Sequence, residues 1–425
     1  MMIRRFSAAI SMLLALCLVA GACSDSDGSA LGDGSLGIVT VNPGGSIHIR
    51  SISALDPTGP GERDYFHIVK LAVEDYGPIR GSFTVEVGDG IDDGCSADAG
   101  PVVAEAALAG GSTVGVIGPS CSSTATTAAP LIAAEGLVMI SMSNTSPFLT
   151  SDLAGNPGEH YRPGYFRTAH NDLYQGEAVA AFLHNKIGPH RVAVVHEGDA
   201  YTRGLAEAFR GAFERHGGTI THFIEADSNT ADWAEVLSQI AAGDPDAVFI
   251  PLSWQSAIGL VQGLSQNEAF DDTVLVAGDA VLHYPFMSLP ISRGVFIAGP
   301  DLDFGDNDNE ATGTNAEQAA QRFEHMAGTR PSRAFWAHAY DATTLLLQAV
   351  EAASRTDGGT LIIDRAGIRE HLDQVAGFRG IIGDITCDGF GDCGLGKITI
   401  IEHLHPDNPE ASRDNTVYRF SPQPH

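Results

Sequence analysis

The sequence predicts an α/β protein made of two doubly wound, mainly parallel sheets. Strand-like and helix-like segments alternate along almost the whole chain from residue 47. A repeat of this kind forms a parallel sheet with helices on both faces. The chain has 425 residues, of which 44% are hydrophobic, and there are too many repeats for one sheet. Two sheets therefore fit the length better than one.

The pattern of each segment supports its assignment. Residues 47–52 and 83–87 alternate apolar and polar side chains, as half-buried strands do. Between them, apolar residues recur at helical spacing over 65–76, and a Gly-Pro pair at 77–78 ends that helix. The remaining predicted strands are 114–118, 137–141, 191–196, 247–251 and 273–278, and the remaining predicted helices are 122–134, 173–186, 203–216, 231–242 and 256–264. Because open α/β sheets bind ligands at the carboxyl ends of their strands, we expect a binding cleft there.

The chain is strongly acidic. It has 24 Lys and Arg against 53 Asp and Glu, which gives a formal net charge of −29. Such a charge repels nucleic acid and anionic lipid surfaces at long range. Nucleic acid is therefore not an expected partner.

The first residues resemble an export signal. A basic start precedes the apolar run 8–19. This run is shorter than a typical transmembrane helix and has the length of the apolar core of a signal peptide. The run leads to Cys23 in a sequence that resembles a bacterial lipoprotein signal. This predicts a signal peptide over 1–22, then a lipidated cysteine and flexible tether over 23–36. Ala20 departs from the leucine usual three residues before that cysteine, so cleavage without lipidation stays open.

Four cysteines remain in the exported part of the chain, namely Cys95, Cys121, Cys387 and Cys393. An even number of cysteines in an exported protein favours disulfides. Of the three pairings, Cys95 with Cys121 and Cys387 with Cys393 is the simplest. A zinc site is the alternative, but the cysteine spacing lacks the close ligand pairs of such sites.

Motifs for catalysis are missing from the sequence. It contains no phosphate loop of the G-x-x-x-x-G-K-[ST] type, no G-x-S-x-G nucleophile elbow and no H-E-x-x-H zinc motif. The acidic run 303–310 lacks the spaced oxygen ligands and central glycine of a calcium loop, which favours a solvated loop. We therefore expect no enzymatic activity, no cofactor and no metal.

The stretch from Gly118 to Pro147 is the most informative one for binding. A predicted strand is followed by a turn of small residues and a helix start at Ser122 and Ser123, then by a second strand and a Ser/Thr-rich loop. Free N–H groups and hydroxyls at a helix start form a site for a carboxylate. Ser122 could equally serve only as the helix N-cap.

These residues resemble the periplasmic branched-chain amino-acid-binding protein family, whose members are leucine/isoleucine/valine-binding-protein-like substrate-binding proteins of ABC transporters. The resemblance follows family order from about residue 47 to the end. The matching segments are residues 118–123, 139–147, 165–169, 191–196, 204–206, 339–342 and 382–385. Four single residues match as well, namely Asp172, Gln175, Gly176 and Tyr201.

The resemblance implies the type I periplasmic-binding-protein fold, in which two lobes are joined by a three-segment hinge. We expect the chain to cross between the lobes near Asn171, Pro300 and Arg379. The expected first lobe is 37–170 with 301–378, and the expected second lobe is 171–300 with 379–425.

The resemblance also implies the ligand-binding residues. Ser122 and Ser123 would bind the carboxylate of an amino acid, together with the Thr145 hydroxyl, and the main-chain carbonyl of Ser143 would accept from the ligand. From the second lobe, Tyr201 would supply an aromatic contact. In the same lobe, Asp279 would pair with the ammonium group.

Some positions depart from the family pattern. Gly61 stands where relatives carry an aromatic residue, with Asp56 nearby, and a second-lobe aromatic position falls on Ser253 beside Trp254. These positions shape the side-chain pocket. The preference for leucine-type ligands is therefore open, and Trp254 could instead fill the core.

The implied function is that of an extracytoplasmic solute-binding lipoprotein of an ABC importer. It would bind an amino acid, of the branched-chain type or related, between the lobes and deliver it to the permease subunits. We expect a monomer that contacts the membrane of the cell envelope through its lipid anchor only. The alternatives are a ligand-sensing receptor component of the same fold and a binder of an amide- or urea-like solute.

Overall fold

The computed structural model of the chain describes residues 32–55, 63–188, 190–226 and 232–422. The predicted signal peptide, Cys23, Asp56 and Gly61 lie outside these residues. Within the described ranges, no helix is both long enough and apolar enough to cross a membrane.

Strands and helices alternate along the described chain, as predicted. The strands are β1 (Ile38–Val41), β2 (Ile47–Ser53), β3 (Val85–Glu86), β4 (Ile91–Asp92), β5 (Thr113–Ile117), β6 (Val138–Ser141), β7 (Tyr165–Arg167), β8 (Arg191–His196), β9 (Thr219–Glu225), β10 (Ala247–Ile250), β11 (Val274–Ala277), β12 (Phe296–Pro300), β13 (Ser354–Asp357), β14 (Thr360–Asp364), β15 (Ala376–Gly380), β16 (Gly383–Thr386), β17 (Ile398–Glu402) and β18 (Thr416–Phe420). The helices are α1 (Asp64–Tyr76), α2 (Gly100–Leu108), α3 (Ser122–Ala134), α4 (Asp172–Phe182), α5 (Ala200–Arg215), α6 (Trp233–Ala242), α7 (Trp254–Ser265), α8 (Tyr284–Met287), α9 (Ala316–Ala327), α10 (Trp336–Ala352), α11 (Arg365–Asp373) and α12 (Pro409–Arg413).

The first sheet has the order β3-β2-β5-β6-β7 and is parallel throughout, with β4 paired to the end of β2. Strands β5 and β6 are buried along their whole length, which explains their continuous apolar sequence. Helices α2 and α3 cover one face of this sheet, and α1 and α10 cover the other. A small antiparallel sheet, β1-β14-β13, adjoins this lobe.

The second sheet has the order β18-β17-β12-β11-β10-β8-β9. Strands β8, β9, β10, β11 and β12 are parallel to one another. Strands β17 and β18 pair antiparallel beside β12 and form one edge of the sheet. Helices α4 and α5 pack on one face and α6 and α7 on the other. The α/β class with two doubly wound sheets is therefore confirmed.

The chain passes between the sheets three times. It leaves the first sheet after β7, returns after β12, and enters the second sheet again at β17. After Arg379 the chain still contacts the first lobe, because Asp341 on α10 accepts hydrogen bonds from the backbone N–H groups of Ile381 and Ile382, both at 2.9 Å. The residue numbers of the lobe boundaries stay a prediction.

Several elements were not predicted, namely α2, α8 to α12, β1, β4, β7, β9 and β12 to β18, and one helix begins earlier than predicted. Strand β9 was missed, although Ile220, His222 and Ile224 alternate with other residues along it at strand spacing. Helix α5 starts at Ala200, earlier than expected, because the Asp199 carboxylate accepts hydrogen bonds from the Tyr201 and Thr202 N–H groups and caps the helix. This earlier start brings Tyr201 into the first turn of the helix.

Candidate ligand-binding site

The first wall of the site is the turn between β5 and α3. Gly118 at its start has a φ of +116°, and a Cβ there would collide with the Ile52 carbonyl oxygen, so only glycine fits. Cys121 is the N-cap residue of α3, and Ser122 is the first helical residue. Ser122 and Ser123 are both buried, with 3% and 9% of their surface exposed. The alternative in which Ser122 is the N-cap is therefore wrong.

A buried aspartate that the sequence analysis did not identify holds this turn. Asp93 accepts hydrogen bonds from the Ser120 N–H at 2.8 Å, the Ser120 hydroxyl at 2.7 Å and the Cys121 N–H at 3.0 Å. Burial raises the pKa of Asp93, and these hydrogen bonds offset part of that rise. The predicted disulfide between Cys95 and Cys121 is present and ties the same turn to the Asp93 loop.

The second wall is the loop after β6. The Ser143 hydroxyl donates to the Ser120 carbonyl oxygen at 3.0 Å, so the two first-lobe loops contact each other. Thr145 is fully buried, and its carbonyl oxygen accepts from the Asp172 N–H at 2.9 Å. The Thr145 hydroxyl is close enough to Asp172 to lower the pKa of that residue, but it makes no well-aligned hydrogen bond within the described part of the chain.

The second lobe contributes Tyr201 and Asp279, which the structure brings into contact. The Tyr201 hydroxyl donates to Asp279 Oδ1 at 3.0 Å. Burial raises the pKa of Asp279 to about 6, and the hydrogen bond from Tyr201 offsets part of the rise. Asp279 caps no helix with its side chain, because Gly278 is the N-cap residue of the short helical turn it begins. Its carboxylate therefore contacts Tyr201 and caps no helix end.

The two lobes touch at this point. The Ser123 hydroxyl on the first lobe donates to Asp199 Oδ1 on the second at 2.9 Å, and Asp199 caps the helix that carries Tyr201. Tyr65 on α1 is also buried here, close enough to the Ser143 hydroxyl and to Asp279 for both to act on its pKa. The sequence had placed Tyr65 only on a buried helical face.

Asp172 is a further member of the site. It is fully buried, and its pKa is raised well above the ordinary value by burial and by the neighbouring Asp279 carboxylate. Oxygen or nitrogen atoms of His170, Asp172 and Asp279 all lie within 4.8 Å of one another. Asp172 forms part of the family resemblance, but no role was predicted for it.

Ser253 is the N-cap residue of α7, and Trp254 is the first residue of that helix. Glu197 accepts from the Ser253 N–H at 2.6 Å and from the Ser253 hydroxyl at 2.9 Å, so the polar groups of Ser253 are engaged. Trp254 is half-buried and packs edge-on to His283, with ring centroids 5.5 Å apart. Neither residue takes part in the contact between Tyr201 and Asp279.

A buried ion pair, which no sequence motif had indicated, supports the Thr145 loop. Arg167 at the end of β7 is fully buried, and its Nη2 lies 2.6 Å from Asp392 Oδ2. Its Nη1 donates to the carbonyl oxygens of Asn144 at 3.2 Å and Ser146 at 2.7 Å. Burial opposes ionisation of Asp392, but Arg167 holds its pKa below the ordinary value. The predicted Cys387–Cys393 disulfide closes the loop that carries Asp392.

Comparison with known proteins agrees with this architecture. A family model described as "Periplasmic binding protein" matches residues 57–392. The chain is 23% identical over 278 residues, 65% of its length, to the Leu/Ile/Val-binding protein homolog 3 of Brucella melitensis, of which 69% is covered.

Two solved structures show the same fold. A leucine binding protein from Thermotoga maritima superposes with a TM-score of 0.72 at 22% identity, covering 88% of this chain and 99% of that one. A branched-chain amino acid transporter substrate binding protein from Streptococcus pneumoniae, solved with isoleucine, superposes with a TM-score of 0.68 at 17% identity, covering 89% and 100%. The chain belongs to the periplasmic binding protein family, has its type I fold, and is related to the members that bind branched-chain amino acids.

Proposed function

We propose that this protein is the extracytoplasmic binding component of an ABC importer and that it captures an amino acid, of the branched-chain type or related, between its lobes. The buried contact between Tyr201 and Asp279 carries the proposal. A buried carboxylate beside oriented hydroxyl groups suits an ammonium group, because a desolvated charge needs a charged partner.

The opposite wall suits the other end of such a ligand. Ser122 and Ser123 begin α3, where backbone N–H groups lack helical partners, and the positive end of a helix favours a carboxylate. Thr145, on the loop after β6, is buried beside Asp172. An amino acid would thus bridge the lobes, and the closed form would be the one that the permease subunits recognise.

The test is a ligand screen followed by calorimetry on a variant. A true ligand at about a hundred times its Kd adds about 2.7 kcal/mol to stability, so a thermal-shift screen of the twenty L-amino acids identifies it. Asp279→Asn keeps the shape and removes the charge. It should weaken binding of that amino acid by about 2–5 kcal/mol.

The control for this variant is Asp384→Asn, because Asp384 is exposed on β16. The control should bind as the wild type does. If no L-amino acid stabilises the wild-type protein, or if Asp279→Asn loses less than about tenfold in affinity, the ammonium role is rejected.

We also propose that Cys23 is lipidated and anchors a monomeric protein to the outer face of the membrane. The proposal rests on the signal-like sequence before Cys23. Metabolic labelling with a radioactive fatty acid should label the wild-type chain and leave Cys23→Ser unlabelled. An unlabelled wild-type chain would leave cleavage without lipidation as the explanation.

A further inference from the structure

The start of α5, residues 199–204, lies against a loop of the other lobe, and we call these residues the entry turn. Leu205 and Phe209 of the same helix are fully buried in the core around the second sheet, so the helix moves with that sheet. The facing loop is held by the first sheet, because the Ser146 carbonyl oxygen accepts from Arg167 Nη1 at 2.7 Å. A contact between the entry turn and this loop therefore depends on the angle between the lobes.

Gly204 makes this contact without a side chain. It is buried, and a Cβ in its place would lie 3.1 Å from the Ser146 hydroxyl oxygen and 3.2 Å from Pro147 Cδ. Both distances are shorter than ordinary van der Waals contacts, so even a methyl group would push the loop and the helix apart by a few tenths of an ångström. Glycine is unfavourable inside a helix, so the close approach and not the helix accounts for this residue.

Arg203 reaches across the same boundary. Its guanidinium carbon lies 4.9 Å from the centre of the Phe148 ring, and its Nη2 lies 3.6 Å from Glu159 Oε1, both on the first lobe. On its own helix, Arg203 Nε lies 3.7 Å from Glu207 Oε1. Arg203 thus has two partners that depend on the angle between the lobes and one partner that does not.

The entry turn also carries a residue of the candidate site. Asp199 Oδ1 accepts from the Ser123 hydroxyl of the first lobe and from the Tyr201 N–H, both at 2.9 Å. Tyr201 in turn donates to Asp279 at 3.0 Å. Docking of the entry turn against the first lobe and placement of the Tyr201 hydroxyl are therefore parts of one arrangement.

We propose that the entry turn of α5 is a latch, in which Gly204 and Arg203 set the affinity of the cleft although neither residue binds the ligand. The inference rests on the proposed function and concerns the regulation of the same site. Contacts that form only when the lobes close add to the free energy of binding. A change that weakens the latch therefore lowers the affinity while the groups that bind the ligand stay the same.

The first test enlarges Gly204 in two steps. Alanine and leucine are both strong helix formers, so Gly204→Ala and Gly204→Leu strengthen α5 and differ from each other in size. The latch docks when the lobes close, so both variants should raise the urea unfolding midpoint of ligand-free protein. The calorimetric affinity for L-leucine, and for any other L-amino acid that stabilises the wild type, should fall about fivefold or more in Gly204→Ala and further in Gly204→Leu.

Gly211 provides a matched control on the same helix. Among the described residues, a Cβ there would meet only Arg215 Nη1, at an ordinary distance of 3.5 Å. Gly211→Ala and Gly211→Leu should therefore raise the unfolding midpoint as the Gly204 variants do. They should leave the affinity for the same amino acids within about twofold of the wild type.

The second test separates the partners of Arg203. Arg203→Gln removes the charge that meets Phe148 and Glu159, and it should weaken binding about two- to fivefold. The unfolding midpoint of the ligand-free variant should stay that of the wild type. Glu207→Gln removes only the partner on the same helix and should not weaken binding. Equal losses of affinity in the two variants would contradict the role of Arg203 in the latch.

The outcomes separate this inference from the proposed function. If the wild-type protein binds no L-amino acid, the proposed function fails, and unfolding of the ligand-free variants still decides the inference. Gly204→Ala less stable than the wild type, with Gly211→Ala more stable, would make the contact a permanent part of the fold and overturn the latch. If the wild type binds an L-amino acid and Gly204→Leu binds it equally well, or loses no more affinity than Gly211→Leu, only the latch is rejected.

Discussion

At the scale of single residues, the site contains a buried acid whose ionisation destabilises the folded protein. Asp279 shows the effect most directly, since burial raises its pKa to about 6 from an ordinary value of 3.8. The folded chain holds this proton more tightly than the unfolded chain. Stability is therefore lost as the pH rises from below 4 to above 6, and the full penalty is about 3 kcal/mol at 1.36 kcal/mol per pKa unit.

We predict that Asp279→Asn removes this penalty in ligand-free protein. The variant should match the wild type in stability near pH 4 and exceed it increasingly toward pH 7, by up to about 3 kcal/mol. Urea unfolding at pH 4, 5, 6 and 7 measures the difference. Asp384→Asn should run parallel to the wild type at every pH. A difference for Asp279→Asn that does not change with pH would contradict the raised pKa.

At the scale of elements, four segments depend on one ion pair. Strand β7 supplies Arg167, the loop closed by Cys387 and Cys393 supplies Asp392, the ligand loop supplies the Asn144 and Ser146 carbonyl oxygens, and Asn171 Nδ2 before α4 donates to Asp392 Oδ2 at 3.0 Å. The Thr145 loop and the first predicted hinge crossing are thus fastened to the same buried carboxylate.

We predict that Asp392→Asn destabilises the protein by about 3–5 kcal/mol, because it leaves the Arg167 charge buried and unpaired. Replacing both Cys387 and Cys393 with serine keeps the ion pair and should cost about 2 kcal/mol, the chain-entropy value for a loop of this length. Urea unfolding midpoints at constant m-value rank the two changes, with Asp384→Asn as the control. A disulfide variant less stable than Asp392→Asn would show that the disulfide, and not the ion pair, holds these segments together.

At the scale of the whole molecule, the two lobes contact each other through a hydrogen bond between the Ser123 hydroxyl and Asp199 and through Arg203, which lies 4.9 Å from the centre of the Phe148 ring and 3.6 Å from Glu159. A hydrogen bond, a cation–π contact and an exposed ion pair contribute about 1 kcal/mol or less each, so we expect a ligand that bridges the lobes to stabilise the closed arrangement further. Residues of both lobes face the site, which ties binding to the angle between the lobes.

We predict that binding closes the molecule. Small-angle X-ray scattering should give a smaller radius of gyration with the amino acid identified by the screen than without it, and the bound profile should match the structure described above. Asp279→Asn protein at the same amino acid concentration should keep the larger radius. Identical profiles for verified ligand-free and saturated wild-type protein would count against closure.

The sequence by itself determined the α/β class, most of the strands and helices from β2 to β11 and the loops that form the first wall, because apolar periodicity and turn residues are local properties. It also led to Tyr201 and Asp279 through the family resemblance, and the structure joins their side chains by a hydrogen bond. Strand β9 was not predicted, although apolar and polar residues alternate visibly along part of it. The local signal for this strand was present and was not used.

Only the tertiary structure decided which distant side chains meet. The cysteine count left three pairings open, and the fold selected Cys95 with Cys121 by placing their Cα atoms 5.0 Å apart. Arg167 and Asp392 lie 225 positions apart in the chain, and no local pattern relates them. Asp172 meets Asp279 because a helix start and a strand end from separate segments converge on the cleft. Side-chain proximity of this kind depends on how the sheets pack, and packing is a property of the whole chain.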